Sequence, residues 1–164
     1  MDREYLCGLE NFAEVWRRVR GEAPPEMPVQ LEQAAPRVRF LSELLDEKYA
    51  LSRLYCALAR CCPAAQNTLL CLAAAEKRHF RCLQFELFLL TGKCHTPKES
   101  CPHFSGAREG LRLAWLQERA AAERLKTEAS RCEETLRETL CAIAKEDAGH
   151  ARTLYAVLRR SFTG

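Results

Sequence analysis

Two carboxylate–histidine pairs, Glu76-x-x-His79 and Asp147-x-x-His150, constrain this chain more than any other feature. Each interrupts an otherwise apolar stripe: Leu69, Leu72, Glu76, His79, Leu83, Leu87 in one, and Leu140, Ile143, Asp147, His150, Leu154, Leu158 in the other. Steps of three and four residues put each set on one face of an α-helix. An ungapped shift of 71 residues, Glu76 onto Asp147, superposes the two stripes. The same shift lays Glu118 on Glu47 and Leu125 on Leu54. Those glutamates have stripes of their own: Leu44, Glu47, Leu51, Leu54, Leu58, and Leu111, Trp115, Glu118, Ala122, Leu125. Four such helices, arranged as two repeated hairpins, predict an all-α four-helix bundle.

Turn residues set the boundaries. The first bundle helix is expected over Val38–Arg60, with Cys62-Pro63 stopping it. The second ends near Thr91 at Gly92, and Pro97, Pro102 and Gly106 make 92–106 the longest connection. The third starts near Ala107 and the fourth reaches about Phe162. No Gly or Pro marks their junction, but the repeat carries the Cys61-Cys62-Pro63 break onto Cys132-Glu133. Ahead of the bundle, Leu6, Leu9, Phe12, Val15, Trp16 and Val19 predict a short amphipathic helix over 2–20. Pro24, Pro25, Pro28 and Pro36 mark 21–37 as a surface linker. The expected organisation is therefore an N-terminal helix and linker in 1–37, and a bundle in 38–162.

The middle of each stripe carries the chemistry. Glu47, Glu76, Glu118 and Asp147 would bring four carboxylates into one core. Burying unpaired charge costs several kcal/mol per ion, and two divalent cations cancel four negative charges. Residues three apart on a helix point the same way, so Glu76 with His79, and Asp147 with His150, can each grip one ion. Glu47 and Glu118 complete or bridge the pair. Mixed carboxylate and imidazole donors suit iron or manganese better than a thiolate-preferring metal. A rival phase of the first helix, rotated by one residue, puts Lys48 in the place of Glu47 with Leu44 and Tyr55 in line. A lysine there would stand where a cation would. The ungapped repeat favours Glu47.

Three segments carry a family resemblance: Leu54-Tyr55-Cys56-Ala57-Leu58-Ala59-Arg60, Ala75-Glu76-Lys77-Arg78-His79 and Leu89-Leu90-Thr91-Gly92-Lys93. Over roughly 38–162 the chain resembles bacterial rubrerythrin-related proteins of the ferritin-like superfamily. The resemblance implies a ferritin-like bundle holding two iron ions that react with hydrogen peroxide or dioxygen, as a peroxidase or ferroxidase, in oxidative-stress defence or iron handling. It also implies an external electron-donor protein and is compatible with a homodimer. The rubredoxin-like domain of full rubrerythrins needs paired Cys-x-x-Cys knuckles, and the chain contains none. Three positions depart from the family pattern. Asp147 replaces a glutamate, Ala121 stands where the family adds one, and Leu54 and Leu125 stand where it has tyrosines, with Tyr55 one residue off. A metal-free helical scaffold without catalysis is the alternative these departures feed.

The remaining composition narrows partners. A net charge of +3, evenly spread, does not suggest nucleic acid. No apolar run approaches the roughly 20 residues of a membrane span, and the acid-bearing start Met-Asp-Arg-Glu-Tyr does not resemble a secretory signal, so a cytoplasmic protein is expected. The ten cysteines fall largely within helical patterns and read as small buried apolar residues. Cys94, His95, Cys101 and His103 share a loop but match no zinc-knuckle spacing.

Overall fold

The computed structural model describes residues 27–99 and 101–162, with side chains described between 35 and 160. The chain divides into two units, Met1–Pro36 and Arg37–Gly164, and the second holds the bundle. The helices are α1 (Met27–Cys61), α2 (Gln66–Thr91), α3 (Ala107–Ala129) and α4 (Glu134–Phe162), with a short 3₁₀ turn over Pro63–Ala65. There is no strand among the described residues. No described helix is long and apolar enough to cross a membrane.

Local chemistry explains the ends. Pro63 opens the 3₁₀ turn, where its missing N–H is no loss. Gly92 closes α2 at φ 67°, a left-handed conformation that favours glycine, and its N–H donates to the Phe88 carbonyl at 2.7 Å. The α3–α4 junction falls at 130–133, held by Arg131 N–H to Glu128 O at 2.9 Å and Cys132 N–H to Ala129 O at 3.2 Å. The repeat places this break correctly with no turn residue to mark it.

One boundary needs correction. α1 starts at Met27, so 27–37 of the expected linker is helical. Pro28 lies in the first turn, where proline is tolerated, but Pro36 is inside the helix and removes one backbone hydrogen bond. The strong helix formers around it, Gln30-Leu31-Glu32-Gln33-Ala34-Ala35, carry the helix through. The expected 2–20 helix lies outside the described residues.

The core forms two apolar slabs. In one, Leu58 of α1, Leu69 and Leu72 of α2, Leu111 and Ala114 of α3, and Leu154 and Val157 of α4 pack together. In the other, Leu41, Leu44, Leu83, Leu87, Leu125, Ala129, Leu136 and Leu140 do so. Following each helix from slab to slab gives its direction. α1 and α4 run one way, α2 and α3 the other. The short connections therefore join antiparallel neighbours, α1 to α2 and α3 to α4. The connection from α2 to α3 must return along the whole bundle. Asp46 of α1 pins this crossover, accepting from the Lys98 backbone N–H at 3.0 Å and contacting His95 Nε2 at 2.7 Å. At its far end Phe104 packs on the first slab beside Gly110.

Candidate metal centre

A layer of charge separates the two slabs. Glu76, Glu118, Asp147 and Lys48 are fully buried there, with His79 at 2% exposure. Each comes from the polar middle of an apolar stripe, so burying the stripes forces these groups inward. α2 supplies Glu76 and His79, α3 supplies Glu118, and α4 supplies Asp147 and His150. Oxygen or nitrogen atoms of Glu76, Glu118, Asp147 and His150 lie within 4.8 Å of one another. Bonds of roughly 2.0–2.2 Å put opposite ligands of one ion about 4.2 Å apart, so modest contraction would close the set around a cation.

Contacts within the layer are dense. His150 Nδ1 lies 3.0 Å from Glu76 Oε1 and 3.2 Å from Glu118 Oε1. His79 Nδ1 lies 3.3 Å from Asp147 Oδ1 and 3.4 Å from Glu76 Oε1. The two imidazoles stack, with centroids 5.6 Å apart. On its outer edge His79 Nε2 meets Glu146 Oε2 at 3.0 Å, and Arg78 donates to the same oxygen at 2.5 Å. A carboxylate on the outer nitrogen turns the inner one toward the cluster, as metal-binding histidines commonly require. Asp147, not its neighbour Glu146, thus faces the core.

Sequence spacing finds Glu76, His79, Glu118, Asp147 and His150, and the fold brings all five together. Glu47 is the correction. Its carboxylate sits outside the cluster, 42% exposed, accepting from Arg124 at 2.6 Å. Lys48 takes the inward position: its Nζ lies 2.6 Å from Asp147 Oδ2 and 3.0 Å from Glu76 Oε2. The inward stripe of α1 is Leu44, Lys48, Leu51, Tyr55 and Leu58, every member buried. Tyr55, also absent from the expected site, donates to Glu118 Oε1 at 2.5 Å. The distance between marks explains the slip. Lys48 precedes Glu76 by one residue less than Glu118 precedes Asp147, so one ungapped shift cannot fit both hairpins. The signal that fixes the phase is Tyr55, seven residues beyond Lys48 and buried on the same stripe.

The electrostatics follow from burial and pairing. Burial lowers the affinity of His79 and His150 for protons, but the surrounding carboxylates outweigh it and raise both to about 9. Burial likewise opposes the Lys48 charge, and Glu76, Asp147 and Glu118 together hold its pKa above the ordinary value. Burial would raise Glu76, yet His150, His79 and Lys48 push it far below the carboxylate range. Glu118 moves up, because burial and the charges of Glu76 and Asp147 outweigh His150 and Lys48. Tyr55 is raised well above an ordinary phenol by burial and by Glu118, so it stays a donor. Both Glu76 oxygens, Asp147 Oδ1 and His79 Nδ1 are met only by these ion-pair contacts, and Glu118 Oε2 has no hydrogen-bond partner.

Compared with family models, curated proteins and solved structures, this chain matches none. Its chemistry is therefore read from the layer itself.

Proposed function

We propose that this chain is a ferritin-like, rubrerythrin-related bundle that binds one divalent metal ion, iron or manganese, through Glu76, Glu118, Asp147 and His150. His79 flanks the set, and Lys48 stands where a second ion would. The observation that carries this is the convergence of those four donors within 4.8 Å, in a layer where the buried Glu118 Oε2 has no hydrogen-bond partner. The single crossover between parallel α2 and α3 supports the ferritin-like assignment, since such bundles have one long connection.

Charge balance supports one ion rather than two. Three carboxylates face Lys48, His79 and His150. With both histidines protonated, three negative charges meet three positive ones. With one divalent ion, Lys48 plus the ion supply the same three, and the histidines become neutral. Loading one ion should therefore release about two protons, as deprotonated ligands require. Lys48 holds Asp147 and Glu76, Tyr55 holds Glu118, and Glu146 holds His79, so the chain fixes the donors. A bound iron ion would supply the redox chemistry toward peroxide or dioxygen that the resemblance implies, with electrons from a separate donor protein. The two-iron form of that reading loses Glu47 as a ligand and meets Lys48 in its place.

The test is anaerobic Fe(II) titration with metal counting, on the wild type, on a His150→Ala, Glu118→Ala double variant, and on Lys48→Glu. One ion per wild-type chain, none in the double variant and two in Lys48→Glu are expected. No wild-type uptake would overturn the metal reading, and two ions would overturn the role given to Lys48. If one ion binds, stopped-flow mixing with peroxide or dioxygen separates redox enzyme from metal carrier. A metal-free scaffold is the second reading. The observation that favours it is the same neutrality, three against three, reached by side chains alone.

A further inference from the structure

A second feature lies outside the charged layer. Between α1, α2 and the crossover is a cavity of about 1010 Å³, large enough for a small organic molecule. Its body is apolar and partly aromatic, with Tyr49, Phe80, Phe104, Pro97 and Pro102 on the walls. Its polar lining is one-sided. Arg53, Arg60, Lys77 and Arg81 line it, and among the described residues no carboxylate does. Lys48 forms part of the floor, but Glu76 and Asp147 neutralise its charge. The other four cations form no ion pair among the described residues; Arg53 lies 5.9 Å over the Tyr49 ring. Four uncompensated cations around an apolar hollow raise the local potential and favour an anion there.

We propose that this cavity binds a small organic anion, its carboxylate or phosphate held by Arg53, Arg60, Lys77 and Arg81 and its apolar body seated against Tyr49, Phe80 and Phe104. Arginine forks match carboxylate and phosphate geometry and stack on flat rings, and the aromatic walls select for carbon-rich bodies over bare inorganic ions. Asp46 holds the crossover in place through His95 and Lys98, so one wall depends on that anchor.

The cysteines provide the readout, because none of the nine described ones is buried, contrary to the expectation that they fill the core. Cys61, Cys94 and Cys101 are exposed and line the cavity, whereas Cys71, Cys82 and Cys141 are exposed elsewhere. The full chain, treated with chelator so that its metal content is constant, would be titrated calorimetrically with 1-naphthyl phosphate and 1-naphthoate. 1-Naphthol and inorganic phosphate serve as body-only and head-only probes. Saturable binding of one naphthyl anion per chain is expected, at least tenfold tighter than either control. The Arg60→Ser, Arg81→Ser variant changes only exposed side chains and should bind at least tenfold more weakly. Bound anion should slow alkylation of Cys61, Cys94 and Cys101 severalfold, read by mass spectrometry, and leave Cys71, Cys82 and Cys141 unchanged. Preference for phosphate over carboxylate, or the reverse, identifies the head group. No saturable binding, an unaffected arginine variant, or uniform slowing of all six thiols would each overturn the proposal. None of these outcomes depends on whether the core takes up metal.

Discussion

Lys48 is the residue on which the core turns. Removing it by Lys48→Ala leaves three buried carboxylates facing two histidines. In metal-free protein this should cost about 3–5 kcal/mol, the usual penalty for breaking a buried pair from one side, measured by urea denaturation. Added divalent metal should recover much of that loss, because the ion replaces the missing charge. Glu47→Ala should change stability by about 1 kcal/mol or less, as for exposed ion pairs, and leave metal uptake untouched; a loss of uptake would return Glu47 to the site. The carboxylates and histidines were legible from spacing because a polar residue inside an apolar helical stripe must be buried with a partner. Lys48 was legible only as a rival. One residue of rotation moves a helix face by about 100°, and an ungapped repeat hides such a rotation when its two hairpins differ in length. Tyr55, buried on the Lys48 stripe and bonded to Glu118, carried the information that resolves it.

Among the elements, the helices were legible and the crossover was not. Proline, glycine and the repeat locate three junctions, since each marks a place where backbone hydrogen bonding must stop. The start of α1 was obscured because Pro36 reads as a break, while the strong helix formers before it prevail. Nothing in the sequence showed that residues 92–106 lie along α1, because the polar attachment rests on Asp46 and the apolar one on Phe104, neither marked by a motif. The seat of the crossover is testable at Gly110. A Cβ there would meet Leu58 Cδ2 at 2.6 Å and Phe104 Cγ at 3.0 Å. Gly110→Ala should therefore cost about 1–3 kcal/mol by overpacking and increase protease cleavage within 92–106. Unchanged cleavage would mean that Phe104 shifts without loosening the strap.

At the scale of the whole molecule, stability should depend on pH through the two histidines. Both are raised to about 9 in the folded chain, from an unfolded value near 6.5. A raised pKa means that the folded state binds protons more tightly, so the contribution is complete below about pH 6.5 and fades as pH rises toward 9. The thermal midpoint of chelated protein should fall by roughly 5–10 °C across that window. Metal-loaded protein should show a much flatter profile, because its histidines are already neutral. A flat profile without metal would show that the imidazoles are not protonated at neutral pH. The tether on Lys48 has one more consequence. An ion drawn from the medium can be scarce, exchanged for a competitor, or stripped by a chelator, whereas a side-chain ammonium arrives with the polypeptide and stays. One of the four positive charges that a two-metal layer would need is thus inherited rather than acquired, and the bundle can assemble where metal supply has failed.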